Sequence, residues 1–368
     1  VSTSDRDRAE GVVSRAEAAI EAHEYAEAVQ MLTAVRDALE NASAPHLELR
    51  ALLAESWARM YMSEIRVAVE ILTQARELVE GPEFTDVDRA EVLFRLGCCR
   101  WNLSSIATAA ALFTEALELA ERSGLPSDRL RSNILGWRSR CHQRQRDWEA
   151  AREDVERALE LAEALDDEKT IAHHYFQASL IAERKGQWVL ARTYAERAKA
   201  IYQKLADQVN ASKLLNNLGG LNFLLGKPDE AVAYLKDAFR VALDVGSSVD
   251  AAYAVSSLAQ VHLRTDQPLL AEEQARHALE LLGDRVEFLD EIGNAQLVLG
   301  RSLLEQGRLD EAADMFDRAE ESFEQLSSAS HRAAAWVAKG DLAARRGDDR
   351  EAAHLYRRAA EALQDFRF

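Results

Sequence analysis

Apolar residues recur along this chain at spacings of three and four, and short polar turns interrupt them at regular intervals. From Asn294 to Leu304, the side chains of Leu297, Leu299, Leu303 and Leu304 fall on one stripe of a helix. Gln306, Gly307, Arg308, Leu309 and Asp310 break it, and Glu311, Ala312, Ala313, Met315, Phe316, Ala319 and Phe323 pattern a second helix. Gly307 suits the left-handed conformation that ends a helix, and Asp310 favours the start of the next. The break recurs at Lys185 to Trp188, Gly226 to Asp229, Asp266 to Pro268 and Gly347 to Arg350, where Pro228 and Pro268 fit a helix's first turn. A second set of turns runs Gly81 to Asp86, Gly124 to Asp128, Asp166 to Lys169, Asp207 to Asn210, Gly246 to Val249, Gly283 to Arg285 and Ser327 to Ser330. Alternating β-branched runs are missing, so the pattern predicts an all-α chain of helix hairpins.

An alanine marks the second helix of each hairpin: Ala28, Ala68, Ala109, Ala151, Ala191, Ala231, Ala271, Ala312 and Ala352, at steps of 40 to 42 residues. Such a period means stacked units, none able to bury its apolar face alone. The expected organisation is one solenoid over 1–368, with repeats at 8–42, 46–81, 87–124, 128–166, 168–207, 209–246, 249–283, 286–327 and 330–368. Twelve places before each marker lies a small residue on the first helix: Ala16, Ser56, Gly97, Ser139, Ser179, Gly219, Ala259, Gly300 and Gly340. Close packing of the second helix on that point explains why nothing larger than serine occurs there.

These residues resemble the tetratricopeptide repeat: Leu218 and Gly219 with Ala231, Leu299 and Gly300 with Ala312, and Lys339 and Gly340 with Ala352 sit at its small-residue positions. The resemblance runs from about Ala9 to Phe366 and implies a right-handed α-solenoid superhelix. The unit exceeds the family's usual 34 residues, so either the helices are longer or the loops extended, and the closing proline is missing. Long-helix variants of this kind are similar to sensor domains of bacterial regulators that bind signalling peptides and to cargo-binding arrays of motor light chains. The stretches Ala335 to Asp349 and Leu355 to Asp365 also resemble the carboxyl end of actinobacterial regulators that join an amino-terminal helix-turn-helix to such an array. No DNA-binding unit fits before Ala9, so the chain reads as the sensor half of a longer protein or as a free-standing relative.

With 63 acidic and 45 basic side chains the formal charge is -18. Nucleic-acid affinity comes mostly from Lys and Arg displacing counterions, so direct DNA or RNA binding is not expected. Arg138, Arg140, Arg144 and Arg146 form a basic spot on one helix and read as a solvated face paired with nearby acids. Cys98, Cys99 and Cys141 fit neither a disulfide framework nor a zinc site. Nothing near Val1 to Arg8 suits a signal peptide and no run approaches a membrane span, so a cytoplasmic protein is expected, without membrane association.

No nucleophile with a base, metal cluster or phosphate loop stands out, so neither an enzyme nor a cofactor is expected. His173 and His174 are adjacent and point about 100 degrees apart on a helix, which spoils chelation. What remains is a concave face. The family resemblance implies that first-helix residues three before, and one or four after, the small position line it. These are Phe94, Cys98 and Trp101; Arg140 and Gln143; Phe176, Leu180 and Glu183; Asn216, Gly220 and Phe223; Ser256, Gln260 and Leu263; and Leu297, Arg301 and Leu304. Asn133, His173, Lys213, Tyr253 and Asn294 come earlier on the same helices, and Asn217 neighbours Asn216.

Amides pair with both polar groups of a peptide bond while rings take side chains, so this lining suits an extended peptide. The candidate ligand residues are Asn133, Arg140, His173, Phe176, Lys213, Asn216, Asn217, Phe223, Tyr253, Gln260, Asn294 and Arg301. The leading expectation is a protein- or peptide-binding regulatory module of a bacterial transcriptional regulator. The alternative is a constitutive scaffold assembling protein partners. Leu355, Tyr356, Leu363, Phe366 and Phe368 at the uncapped last repeat raise a homodimer through the terminal repeats.

Overall fold

The structure is a computed structural model and describes residues 3–22, 24–41, 44–326 and 329–364. Every regular element among them is helical. The chain divides into two compact units, 1–185 and 186–368. The first holds α1 (Thr3–Glu21), α2 (Tyr25–Asn41), α3 (Pro45–Tyr61), α4 (Ile65–Leu78), α5 (Asp86–Asn102), α6 (Ile106–Arg122), α7 (Asp128–Arg144), α8 (Trp148–Ala164) and α9 (Glu168–Arg184). The second holds α10 (Trp188–Lys204), α11 (Gln208–Leu224), α12 (Pro228–Asp244), α13 (Ser248–Arg264), α14 (Pro268–Leu282), α15 (Leu289–Glu305), α16 (Leu309–Gln325), α17 (Ala329–Arg345) and α18 (Asp349–Gln364). Within each unit consecutive helices pack as hairpins, as the solenoid reading requires.

Longer helices, not longer loops, account for the period: α11, α12 and α13 each have 17 residues, with three-residue turns between them. Among the described residues, eight of the turns inside hairpins are closed by a residue of positive φ placed five before the marker alanine. These are Ser63, Ser104, Arg146, Gly186, Gly226, Asp266, Gly307 and Gly347, with φ between 58° and 80°. The following amide then turns back to a carbonyl five residues earlier, as Ser105 N–H does to Arg100 O at 2.9 Å and Lys227 N–H to Asn222 O at 2.9 Å. Glycine fills only half of these positions. At the other end of the hairpins, Thr85, Asp167, Asp207 and Ser247 cap the next first helix with their side chains, Thr85 within a full capping box with Asp88.

All nine marker alanines are buried. The packing they permit is complementary residue by residue. A Cβ on Gly97 would stand 2.5 Å from Phe113 Cε1, one on Gly219 2.5 Å from Leu235 Cγ, and one on Gly340 2.5 Å from Tyr356 Cε1. Phe113, Leu235 and Tyr356 each follow the marker by four places, so glycine on one helix admits a large side chain from the other. Where the partner is smaller, serine fits: Ser139, opposite Val155's turn, donates its hydroxyl to the carbonyl of the marker Ala151 at 2.7 Å.

Candidate functional site

In the first unit, α7 and α9 bring Arg140 and His173 together. Arg140 Nη2 donates to His173 Nε2 at 2.6 Å. With the Gln177 carboxamide oriented to satisfy both its ends, its oxygen accepts from Arg140 Nε at 2.8 Å and its nitrogen donates to the Gly136 carbonyl at 3.2 Å. The guanidinium lies 4.6 Å from the centre of the Trp137 ring. Burial, with Arg140 beside it, pushes the His173 imidazole pKa down to about 3, so the ring is neutral and accepts a hydrogen bond from the guanidinium. His174 points elsewhere, its Nε2 2.9 Å from the Ser132 hydroxyl, which donates to the Ala158 carbonyl at 2.8 Å. Asn133 and Phe176 lie half-buried on the same two helices.

In the second unit the candidates sit on α11, α13 and α15. Lys213 and Gln260 are exposed, while Asn216, Asn217, Phe223, Tyr253, Asn294 and Arg301 are half-buried. Three polar atoms on these helices are buried without a hydrogen-bond partner: Asn216 Oδ1 on α11, Ser256 Oγ on α13 and Arg301 Nε on α15. Asn216 and Ser256 hold the same place in successive repeats, three residues before Gly219 and Ala259. Beside Tyr253, whose hydroxyl pKa is raised chiefly by burial, Glu291 is pushed up to about 7 by burial and by Asp290.

A pocket of about 750 Å³ opens next to Arg301, lined by Leu263 and Arg264 of α13, Leu304 and Glu305 of α15, and Asp341, Ala344 and Arg345 of α17, with Asp266 and Tyr356 at its margins. Most of its walls are the residues four and five places past Ala259 and one, four and five places past Gly300 and Gly340. Places one and four were legible from the repeat. The fifth, which supplies Arg264, Glu305 and Arg345, was missed, and its signal is a run of charge at one register in three successive repeats. Arg264 also lies 5.9 Å from the centre of the Phe223 ring, joining α11 to this wall.

Several expected groove residues are core instead. Phe94 and Cys98 are buried in the first unit, Phe94 with its ring centre 6.0 Å from that of Phe113. Ser256 and Leu297 are buried as well, and Leu304 is reached only from the pocket. At Phe94 that register is covered by the rings of Trp57 and Phe113. Of the basic spot, Arg144 and Arg146 are exposed, Arg146 in the turn after α7, while Arg138 is half-buried and makes a two-pronged pair at 2.7 Å with Asp154, whose side chain is buried. At the last repeat Leu355 is buried under Trp336 and Ala333, Tyr356 donates to Asp341 at 2.8 Å, and Leu363 is exposed; Phe366 and Phe368 lie outside the described residues. Burial pushes the Cys99 and Cys141 thiols up to about 11, away from reactivity at neutral pH.

Among the described residues no group of three or more His, Cys, Asp or Glu is arranged to hold a metal, and no helix is long and apolar enough to cross a membrane. Hairpins of 17-residue helices, packed one on the next, define an all-α helix-hairpin repeat protein. The tetratricopeptide repeat profile matches residues 130–204, 170–244, 210–284 and 291–365, more than half of the chain, which belongs to this family.

No curated protein matches the sequence. Among solved structures the chain is similar to a Rap protein complexed with competence and sporulation factor, at 16% identity over 98% of both chains with a TM-score of 0.68. It is also similar to the apo form of RapI, at 13% identity over 97% of this chain and 98% of that one with a TM-score of 0.75. A third similar structure is the apo quorum sensor NprR from B. thuringiensis, at 13% identity, 97% and 99% coverage and a TM-score of 0.71. At these identities the likeness concerns the fold.

Proposed function

We propose that the chain is a peptide-binding regulatory module rather than an enzyme, and that an extended peptide lies along the first helices of the second unit. The observation that carries this reading is the pair of unpartnered polar atoms on the half-buried Asn216 of α11 and Arg301 of α15. A buried polar group without a partner costs about 1–3 kcal/mol. A peptide backbone supplies the missing donor for Asn216 and an acceptor for Arg301, so binding relieves a cost that folding leaves standing. The similar Rap structures, one with competence and sporulation factor and one with the Phr* peptide, support it by analogy of fold. We further read the module as the sensor region of a bacterial transcriptional regulator working in the cytoplasm, on the strength of the sequence resemblance and the similar quorum sensor NprR.

Titrating a random hexapeptide pool into the purified chain tests the reading. Saturable retention that falls roughly tenfold in Asn216→Ala supports it; no retention at any concentration refutes it. A scaffold reading draws on a different feature, the exposed pairs Val189 with Leu190 and Leu269 with Leu270 at the starts of α10 and α14, where most other repeats carry a charge. It requires partner capture that is indifferent to Asn216→Ala and lost when Leu269 and Leu270 are made polar.

A further inference from the structure

The second helices of the second unit alternate in the chemistry of their first residues. α10 opens with Trp188, Val189 and Leu190, α12 with Pro228, Asp229 and Glu230, α14 with Pro268, Leu269 and Leu270, and α16 with Leu309, Asp310 and Glu311. The two places just before the marker alanine are therefore apolar, acidic, apolar and acidic in four successive repeats, and all eight side chains are exposed. Val189 is 66% exposed and Leu269 70%. A single exposed leucine needs no explanation. These are pairs, at the same two places in alternate repeats, with acidic pairs between them. Packing does not require them, because the buried marker alanine beside each pair makes the contact with the first helix.

The four starts form one row. Tyr234 of α12 donates to Glu196 of α10 at 2.7 Å, the Phe239 ring of α12 lies 5.3 Å from that of His277 of α14, and Arg308 ahead of α16 bonds Glu272 of α14 at 2.8 Å. Each contact joins residues at nearly the same depth past their markers, so the helices run abreast and their starts line up. Glu273 follows Leu269 by four places and Leu270 by three and shares their face. From four places before each marker to two after it, the starts hold seven carboxylates, of Asp229, Glu230, Glu272, Glu273, Asp310, Glu311 and Asp314, against three cations, of Arg192, Lys227 and Arg308. Lys227 is engaged with Glu230, and Arg308 with Glu272 and Glu311. Among the described residues Asp229, Glu273 and Asp314 make no ion pair, and all three are exposed.

We propose that this row is a docking surface for a segment of a partner protein that alternates aliphatic and basic side chains, a basic amphipathic helix laid across the second-helix starts. Aliphatic anchors cover Val189, Leu190, Leu269 and Leu270, and lysines or arginines between them meet the acidic pairs, which sets the register. A second copy of this chain is a poor occupant, because like rows of carboxylates repel and the chain carries a formal charge of -18. An anionic lipid surface is disfavoured by the same charge. The surface lies on the second helices and does not depend on the peptide reading of the first helices.

The probe is a helical peptide of Leu and Lys about 18 residues long, with matched Leu/Glu and Ser/Lys peptides, followed by fluorescence anisotropy at about 0.15 M salt. It is titrated into the full chain, into Leu269→Ser with Leu270→Ser, into Val189→Ser with Leu190→Ser, into Asp229→Asn with Glu230→Gln, and into Asn216→Ala. All but Asn216 are exposed, and circular dichroism follows helix content. The native chain is expected to bind the Leu/Lys peptide at least tenfold more tightly than either control. Each apolar double variant should weaken that binding roughly tenfold, the acidic one should weaken it and flatten its salt dependence, and Asn216→Ala should leave it unchanged. Undiminished binding by both apolar variants overturns the surface, as does a loss confined to Asn216→Ala, which places the probe in the first-helix groove. Sedimentation equilibrium and flotation with anionic vesicles complete the test. Self-association or vesicle binding that the serine variants abolish assigns the row to a second copy or to lipid and overturns the basic partner. None of these failures touches the peptide reading of the first helices, which the hexapeptide titration decides.

Discussion

Gly97 of α5 leaves the space that the ring of Phe113 in α6 fills, to within 2.5 Å of where a Cβ would stand. Phe113 is fully buried and has no room to retreat. Gly97→Ala should therefore destabilise the first unit by about 1–3 kcal/mol, the usual cost of overpacking. Phe113→Val in the same chain should recover part of that loss, because the two changes act on one volume. Urea unfolding of the single and double variants checks this, and simple additivity of the two losses would show that the contact is not shared.

Turn residues offer a test of opposite sign at one structural position. Ser104 holds φ at 58° and Gly307 at 77° in equivalent turns. An L side chain in this region costs about 1–2 kcal/mol, part of which returns through the unfolded chain when glycine replaces it. Ser104→Gly is expected to stabilise by about 0.5–1 kcal/mol and Gly307→Ala to destabilise by a similar amount. Thermal melts of both variants should shift in opposite directions.

The architecture was legible because backbone packing imposes itself at every repeat: Ala231 cannot grow without parting α12 from α11, and Gly219 cannot grow without displacing Leu235. Left-handed turns were legible at Gly307 and Gly347 but not at Ser104 or Arg146, where the hairpin geometry overrides residue preference. The site was legible less evenly. Arg140, His173, Asn216 and Arg301 are half-buried on first helices, but Phe94 and Cys98 at the same registers are core, Phe94 against the rings of Phe113 and Trp57. Arg264 and Arg345 escaped notice because neither is unusual alone; their meaning depends on three helices converging and on which of the two finds a carboxylate.

Glu291 predicts a pH effect in the second unit. Burial, with Asp290 adjacent, raises its carboxyl to about 7 from the ordinary 4.5, so folding favours the protonated form. The stabilisation held by that neutral carboxyl is complete below about pH 4.5 and is lost as pH rises through about 7. Glu291→Gln, which stays neutral, should raise the melting temperature at pH 8 and leave it nearly unchanged at pH 4. An equal shift at both values would mean that the carboxylate is not desolvated in the native protein.

His173 and Arg140 predict the reverse dependence in the first unit. Because the folded imidazole titrates near 3 and an unfolded one near 6.5, protonation favours the unfolded chain. The contribution to stability is full above about pH 6.5 and declines as pH falls toward 3. Arg140 acts in two ways: it donates to the neutral ring at 2.6 Å, and its charge opposes a second cation there. Arg140→Gln removes the repelling charge but leaves the burial, so the His173 pKa should rise while staying below the ordinary value. Following the imidazole carbon-bound protons by NMR between pH 3 and 8 gives the answer. A native His173 that titrates near 6.5 would place the ring in water and dissolve the cluster of Arg140, Gln177 and Trp137 as a preformed surface.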